Sequence, residues 1–162
     1  MSHHILVVED EPDINKTVSY NLANEGFHPV SALNLQEADD HLSSNNISLI
    51  ILDLMLPDGS GLDFCKTLKS SNIYKNIPVI IVTAKGDEVD KVVGFELGAD
   101  DYVTKPFSVR ELMLRIKAIL KRNTQERNTN SSTDFTFECL TINYDSHEVF
   151  VNNVEINLTA LE

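Results

Sequence analysis

A parallel α/β sheet of five strands, doubly wound with helices on both faces, is the fold that this sequence predicts. Three observations predict it. Short apolar runs recur over the first 122 residues: Ile5-Leu6-Val7-Val8, Ile47 to Leu52, Val79-Ile80-Ile81-Val82 and, more weakly, Tyr102-Val103. Stretches with apolar residues at helical spacing lie between these runs. The runs are continuous rather than alternating, which suits strands covered on both faces. Strand alternating with helix implies right-handed crossovers, and the flavodoxin-like strand order 2-1-3-4-5 is expected.

Each element has its own signals. Pro12 stands where a first helical turn begins, Ile14, Val18 and Leu22 follow at four-residue spacing, and Gly26 stops the helix. Phe27 to Ala32 is a poorer strand, broken by Pro29, and belongs at a sheet edge. Asn34 with Glu37 is a loose capping box for the second helix. Leu62, Cys65 and Leu68 mark the third. Glu88 to Leu97, ended by Gly98, is the fourth. Ser108 with Glu111 opens the fifth, in which Leu112, Ile116 and Ile119 share a face.

The composition then changes. Residues 123–133 contain no apolar side chain and read as a flexible linker. Beyond them the period shortens to two. Turns at Asp145-Ser146-His147 and Asn152-Asn153 divide the segment into three short antiparallel strands. Thr159 to Glu162 is a capping box with no helix after it, so a helix is expected to be cut at its start. The expected organisation is a domain over 1–122, a linker over 123–133 and a small β platform over 134–162.

Composition narrows the function. The 162 residues are 42% hydrophobic and 23% charged, with a formal net charge of −12. Such a surface repels phosphates and is not built for non-specific nucleic-acid binding. No apolar run reaches the roughly 18–20 residues that span a bilayer. Met1-Ser2-His3-His4 leads straight into an apolar strand without a charged n-region, so no signal peptide and a cytoplasmic location are expected. Cys65 and Cys139 make neither a disulfide framework nor a metal-ligand spacing.

In open α/β sheets the functional crevice lies at the carboxyl ends of the strands. Here the first strand runs into Glu9-Asp10-Glu11, the third into Asp53, the fourth into Thr83 and the fifth into Thr104-Lys105-Pro106. Each has an ordinary structural role available: Glu11 precedes Pro12 as a helix cap, and a lone aspartate, threonine or lysine is commonplace. Together they differ. Carboxylates forced into one crevice repel unless a proton or cation joins them. Ligation by oxygen alone suits a hard cation, Mg²⁺ before Zn²⁺. A lysine and a hydroxyl suit the remaining oxygens of a phosphoryl group. The residues thus read as a phosphoryl site with Asp53 as candidate nucleophile. No G-x-x-x-x-G-K-[ST] and no G-x-G-x-x-G is present, and Asp53-Leu54-Met55 lacks the second aspartate of haloacid-dehalogenase-type phosphatases.

Four segments carry a family resemblance: Ile5 to Pro12, Leu52 to Gly59, Val82 to Lys85 and Tyr102 to Phe107. They resemble the receiver domain of two-component response regulators over roughly residues 3–122. Gly94 to Tyr102 narrows the resemblance to the OmpR/PhoB subfamily, and the last segment resembles the antiparallel platform that opens its winged-helix DNA-binding domain. The resemblance implies that Asp53 accepts a phosphoryl group from a sensor histidine kinase. It implies Mg²⁺ held by Asp10, Asp53 and the Met55 carbonyl, with Glu9 acting through water. It further implies that Lys105 and Thr83 bind the phosphoryl oxygens, that Tyr102 turns inward in response, and that Pro106 follows a cis bond. The implied dimer joins the fourth helix, fifth strand and fifth helix of two chains. Its cross-subunit pairs are Lys91–Glu111, Asp101–Arg115, Asp100–Arg122 and Glu96–Lys117, around Val92, Phe95 and Met113. The implied function is a phosphorylation-switched transcription factor acting on promoter DNA and RNA polymerase. Its recognition helix and wing would lie beyond Glu162, so this chain is not expected to bind DNA specifically or to contact a membrane. It is expected to be no enzyme beyond its own phosphorylation and slow dephosphorylation. The alternatives are a stand-alone receiver acting by protein contacts alone and a phosphatase of external substrates.

Overall fold

A computed structural model describes residues 3–84, 96–129, 134–137, 140–143, 148–151 and 154–156. The chain divides into two compact units, Met1–Leu120 and Lys121–Glu162.

The first unit is built on a parallel sheet of β1 (His4–Val8), β2 (His28–Ala32), β3 (Ile47–Leu52), β6 (Val79–Thr83) and β7 (Asp101–Thr104), in the order β2-β1-β3-β6-β7. This is the expected 2-1-3-4-5 order, with Pro29 on an edge strand. A two-stranded hairpin of β4 (Met55–Leu56) and β5 (Gly59–Ser60) follows β3. The helices are α1 (Pro12–Asn24), α2 (Leu35–Ser44), α3 (Gly61–Ser70) and α4 (Val109–Thr129). The fourth helix expected from sequence, 88–97, lies outside the described residues except for Glu96 and Leu97.

Period-two geometry splits each apolar run between the two faces. Leu6, Val8, Ile50, Leu52 and Ile81 join Ala38 and Leu42 of α2 and Cys65 and Leu68 of α3. Ile5, Val7, Leu49, Ile51, Ile80 and Val82 join Val18 and Leu22 of α1 and Leu112, Ile116 and Ile119 of α4. Each fully buried Leu or Ile side chain contributes about 1.5–3 kcal/mol, so these two layers hold the sheet ends where the site is built. Gly61 makes a further close approach possible. A Cβ there would stand 2.3 Å from the Asp53 carbonyl oxygen and 2.7 Å from Leu54 Cα, so only glycine lets α3 begin against the end of β3.

Two expectations are corrected. The helix α4 continues to Thr129 and takes up 123–129 of the segment expected as linker. Those residues are polar but include no Gly or Pro, and propagating a nucleated helix needs no new nucleus. The second unit holds four antiparallel strands rather than three: β8 (Asp134–Phe137), β9 (Leu140–Asn143), β10 (Glu148–Val151) and β11 (Val154–Ile156), ordered β11-β10-β9-β8. The run 135–144 changes phase at Cys139-Leu140, and that phase change separates β8 from β9. The capping box at 159–162 lies outside the described residues.

Candidate functional site

The strands' common direction delivers the chemical groups to one end. Asp53 N donates to Val8 O at 2.9 Å, and Lys105 N donates to Thr83 O at 2.9 Å, so the four strand ends are tied in pairs. Glu9 N donates across to Ala32 O at 3.1 Å. Three carboxylates meet here: one oxygen from each of Glu9, Asp10 and Asp53 lies within 4.8 Å of the others. Glu9 and Asp53 are buried and Asp10 is exposed.

Lys105 supplies the opposing charge. Its Nζ is 2.7 Å from Glu9 Oε2, 2.7 Å from Asp53 Oδ2 and 3.7 Å from Glu11 Oε1. Burial pushes the Glu9 carboxyl above its ordinary value; the Lys105 hydrogen bond opposes that rise and the Asp53 charge adds to it. Burial opposes the Lys105 charge, but the hydrogen bonds to Asp53 and Glu9 outweigh it and raise the ammonium. Burial thus favours the neutral Glu9 carboxyl, while the carboxylates around Lys105 favour its charged form against burial. The donors of the carboxylate cluster are all oxygens, so the residues present fit a hard divalent cation such as Mg²⁺.

The remaining groups frame the cluster. Met55 N donates to Asp53 Oδ1 at 3.0 Å, which leaves Oδ2 to Lys105. The Met55 side chain is exposed. Thr83 is fully buried at the end of β6. Tyr102 is buried in the layer that holds Cys65 and Leu68. The Lys105–Pro106 peptide bond is cis. A cavity of about 590 Å³ opens beside Lys105, bounded by Glu11, Ile14, Val18, Ala84, Pro106 and Phe107. Glu11 takes the N-cap position of α1, but its side chain makes no cap hydrogen bond and reaches toward Lys105 instead.

The residues expected at a dimer face are only partly brought together. Lys91, Val92 and Phe95 lie outside the described residues. Arg115 bonds Asp101 at 2.8 Å and Glu111 at 2.7 Å within the chain. Lys117 pairs with Glu25 of the same chain. Asp100 accepts from Lys69 Nζ at 3.1 Å and from Val79 N at 2.9 Å, so its carboxylate braces the start of β6. Glu96 and Arg122 are exposed. Met113 is buried in the layer with Leu112 and Ile116, because the packed face of α4 is wider than a single stripe. Leu114 on that helix is a large apolar side chain left exposed.

Two further side chains hold the site and were not singled out by sequence reasoning. Asp58 accepts from the backbone N–H of Leu35 and Gln36 and joins the loop after Asp53 to α2. Asn15 is buried and donates to three strand-end carbonyls. Helical spacing carried its signal: 15, 18 and 22 form the buried stripe of α1, whereas Ile14 is only partly buried.

Known proteins share this architecture. The family described as response regulator receiver domain matches residues 5–117. The transcriptional regulatory protein SrrA of Staphylococcus aureus (strain NCTC 8325 / PS 47) is 43% identical over 166 residues, covering 100% of this chain and 68% of SrrA. The crystal structure of DrrB, a Thermotoga maritima OmpR/PhoB homologue, is similar with a TM-score of 0.66 at 32% identity, over 98% of this chain and 68% of DrrB. The BeF3-activated DrrB receiver domain is similar with a TM-score of 0.66 at 36% identity, over 75% of this chain and 99% of that domain. Among the described residues no helix is long and apolar enough to cross a membrane. Fold, acidic crevice and relatives agree, and the chain belongs to the response regulators of the OmpR/PhoB type, with its receiver domain over residues 5–117.

Proposed function

We propose that this chain accepts a phosphoryl group on Asp53 from a sensor histidine kinase and uses it to control transcription. The observation that carries the proposal is a buried Asp53 carboxylate held by Lys105 Nζ at 2.7 Å inside a cluster of three carboxylates. The likeness to a BeF3-activated receiver supports a crevice shaped for a phosphoryl-like group.

Mg²⁺ is the cofactor that the donor set fits. Glu9, Asp10, Asp53 and the Met55 carbonyl would hold it, and when bound it neutralises charge on phosphoryl oxygens. The chain's own residues do the rest. An Asp53 oxygen attacks the phosphorus of the kinase phosphohistidine, the P–N bond breaks, and its electron pair leaves on the imidazole nitrogen. Lys105 exchanges its bond to Asp53 for one to a phosphoryl oxygen, and the Thr83 hydroxyl donates to another. The cavity beside Lys105, with Ile14, Val18 and Phe107 in its wall, supports docking of a protein phosphodonor at the crevice. The chain catalyses only its own phosphorylation and slow hydrolysis, with no turnover of external substrates.

The acyl phosphate acts by population shift, to the extent that it binds one arrangement of Thr83 and Tyr102 more tightly than the other. The response surface comprises β7, α4 and the segment containing Lys91, Val92 and Phe95, and it pairs two phosphorylated copies. Glu96, Asp101, Glu111, Arg115, Lys117 and Arg122 bring the charges that set the register. Promoter DNA and RNA polymerase are the targets of the complete regulator, in the cytoplasm. Asp53→Asn tests the acceptor, because an amide cannot form the acyl phosphate. Labelling by acetyl phosphate should disappear, and undiminished labelling of the variant would place the acceptor elsewhere.

A further inference from the structure

Asn15 is 2% exposed, and its amide is used on both sides. Its Nδ2 lies 3.3 Å from Val7 O, 3.1 Å from Glu9 O and 3.1 Å from Ala32 O. Its Oδ1 accepts from Ser31 Oγ at 2.6 Å and from Ser19 Oγ at 3.4 Å. The three carbonyls can only accept, so they fix which end of the amide faces them, and the two hydroxyls satisfy the other end. One side chain of α1 therefore grips the ends of β1 and β2 together.

The Glu9 carbonyl is the informative partner. β1 ends at Val8, so Glu9 stands beyond the strand. Its carbonyl belongs to the planar peptide unit that runs from Glu9 Cα to Asp10 Cα. Holding that oxygen fixes the plane, and with it the directions in which the Glu9 and Asp10 side chains leave the backbone. Those two side chains repel one another and Asp53, so the loop that carries them is under load whenever all three are charged. The Asn15 grip opposes that load at the peptide between them.

We propose that Asn15 is a positioning residue for the cation site: it pre-sets the Glu9–Asp10 peptide so that both carboxylates face Asp53 before an ion binds. This rests on Glu9, Asp10 and Asp53 being the Mg²⁺ site. Groups that orient metal ligands from behind change metal affinity by about 10–100-fold when removed, and Asn15→Ala should weaken Mg²⁺ binding within that range.

Isothermal titration of the full chain with Mg²⁺ alone, paired with urea unfolding, tests it. Leu22→Ala is the control, because Leu22 is equally buried about two turns further along α1, away from the cavity, and touches the core without gripping the strand ends. It should lose stability and keep its Mg²⁺ affinity. Ser31→Ala keeps the helix, the carbonyl partners and the Ser19 bond and removes the shorter bond to the amide oxygen, so it loosens the grip and should weaken Mg²⁺ by about threefold to tenfold, the worth of one hydrogen bond. That variant decides the matter if Asn15→Ala does not fold. Unchanged affinity in a folded Asn15→Ala, or in Ser31→Ala when the first does not fold, overturns the proposal. So does an equal loss in Leu22→Ala, which would make the effect one of general stability. Absence of Mg²⁺ binding by the unmodified chain would overturn the metal site itself, and this inference with it.

Discussion

Lys105 is the residue on which the charge balance of the crevice depends. The Glu9 and Asp53 side chains are 5% and 6% exposed, and both place an oxygen 2.7 Å from its ammonium. A buried carboxylate that loses its partner keeps the desolvation cost without the attraction. Lys105→Met keeps the length of the side chain and removes the charge, and should destabilise the fold at pH 7 by about 1–3 kcal/mol. Saturating Mg²⁺ should recover part of that loss, because the cation replaces the missing positive charge. Urea unfolding with and without Mg²⁺ checks this; a loss of the same size in both conditions would mean that Lys105 acts through packing alone. Asp10 contributes differently, since it lies beside Glu9 on the loop between β1 and α1, is exposed and adds repulsion without a cation.

Among the elements, α2 is fastened to the site at its N-terminus. Asn34 Oδ1 accepts from Glu37 N at 2.8 Å, and Glu37 returns a carboxylate oxygen to Leu33 N at 2.8 Å. Asp58 adds a second anion at the same helix end, 2.9 Å from Leu35 N and 3.0 Å from Gln36 N. These bonds, that from Leu35 first, hold the Asp58 carboxyl below its ordinary value of 3.8. A lowered carboxyl stabilises the fold above its unfolded-state value and ceases to do so as pH falls through its folded-state value. Asp58→Ala should therefore be less stable than the unmodified chain at neutral pH, and the difference should close as the pH is taken below 3.8. Urea midpoints measured along that series check it, and a difference independent of pH would assign the effect to chain flexibility instead.

The formal charge of −12 sets the molecule's interactions as a whole. The second unit, residues 121–162, carries Lys121, Arg122 and Arg127 against seven carboxylates, so its net charge has the wrong sign for DNA. Contacts between copies must also compete with bonds already made inside each one, since Arg115 is held by Asp101 and Glu111 and Lys117 by Glu25. Exchanging an internal pair for an external one gains little, about 0–1 kcal/mol each, so the proposed dimerisation would have to be driven by apolar contact and by phosphorylation. Beryllofluoride should therefore shift the chain toward dimers in sedimentation without producing a mobility shift specific to any DNA sequence. A sequence-specific shift would refute the first half of that account, and a monomer at all concentrations the second.

The order of strands and the meeting of Glu9, Asp10, Asp53 and Lys105 at their ends were legible in the sequence. Apolar periodicity reports local burial, and strand-end residues converge once the strands are parallel. The length of α4 was not legible, because polar residues that cannot start a helix can still continue one. The inward place of Met113 and the bracing role of Asp100 were decided only by packing, since a residue beside an apolar stripe can face either way until its neighbours arrive. Asn15 is the clearest case. An asparagine in a buried stripe reads as a defect in isolation, and becomes a junction only when β1 and β2 bring three carbonyls within reach of one amide. Local sequence determines which elements form, whereas distances between groups far apart in the chain exist only after the sheet has closed.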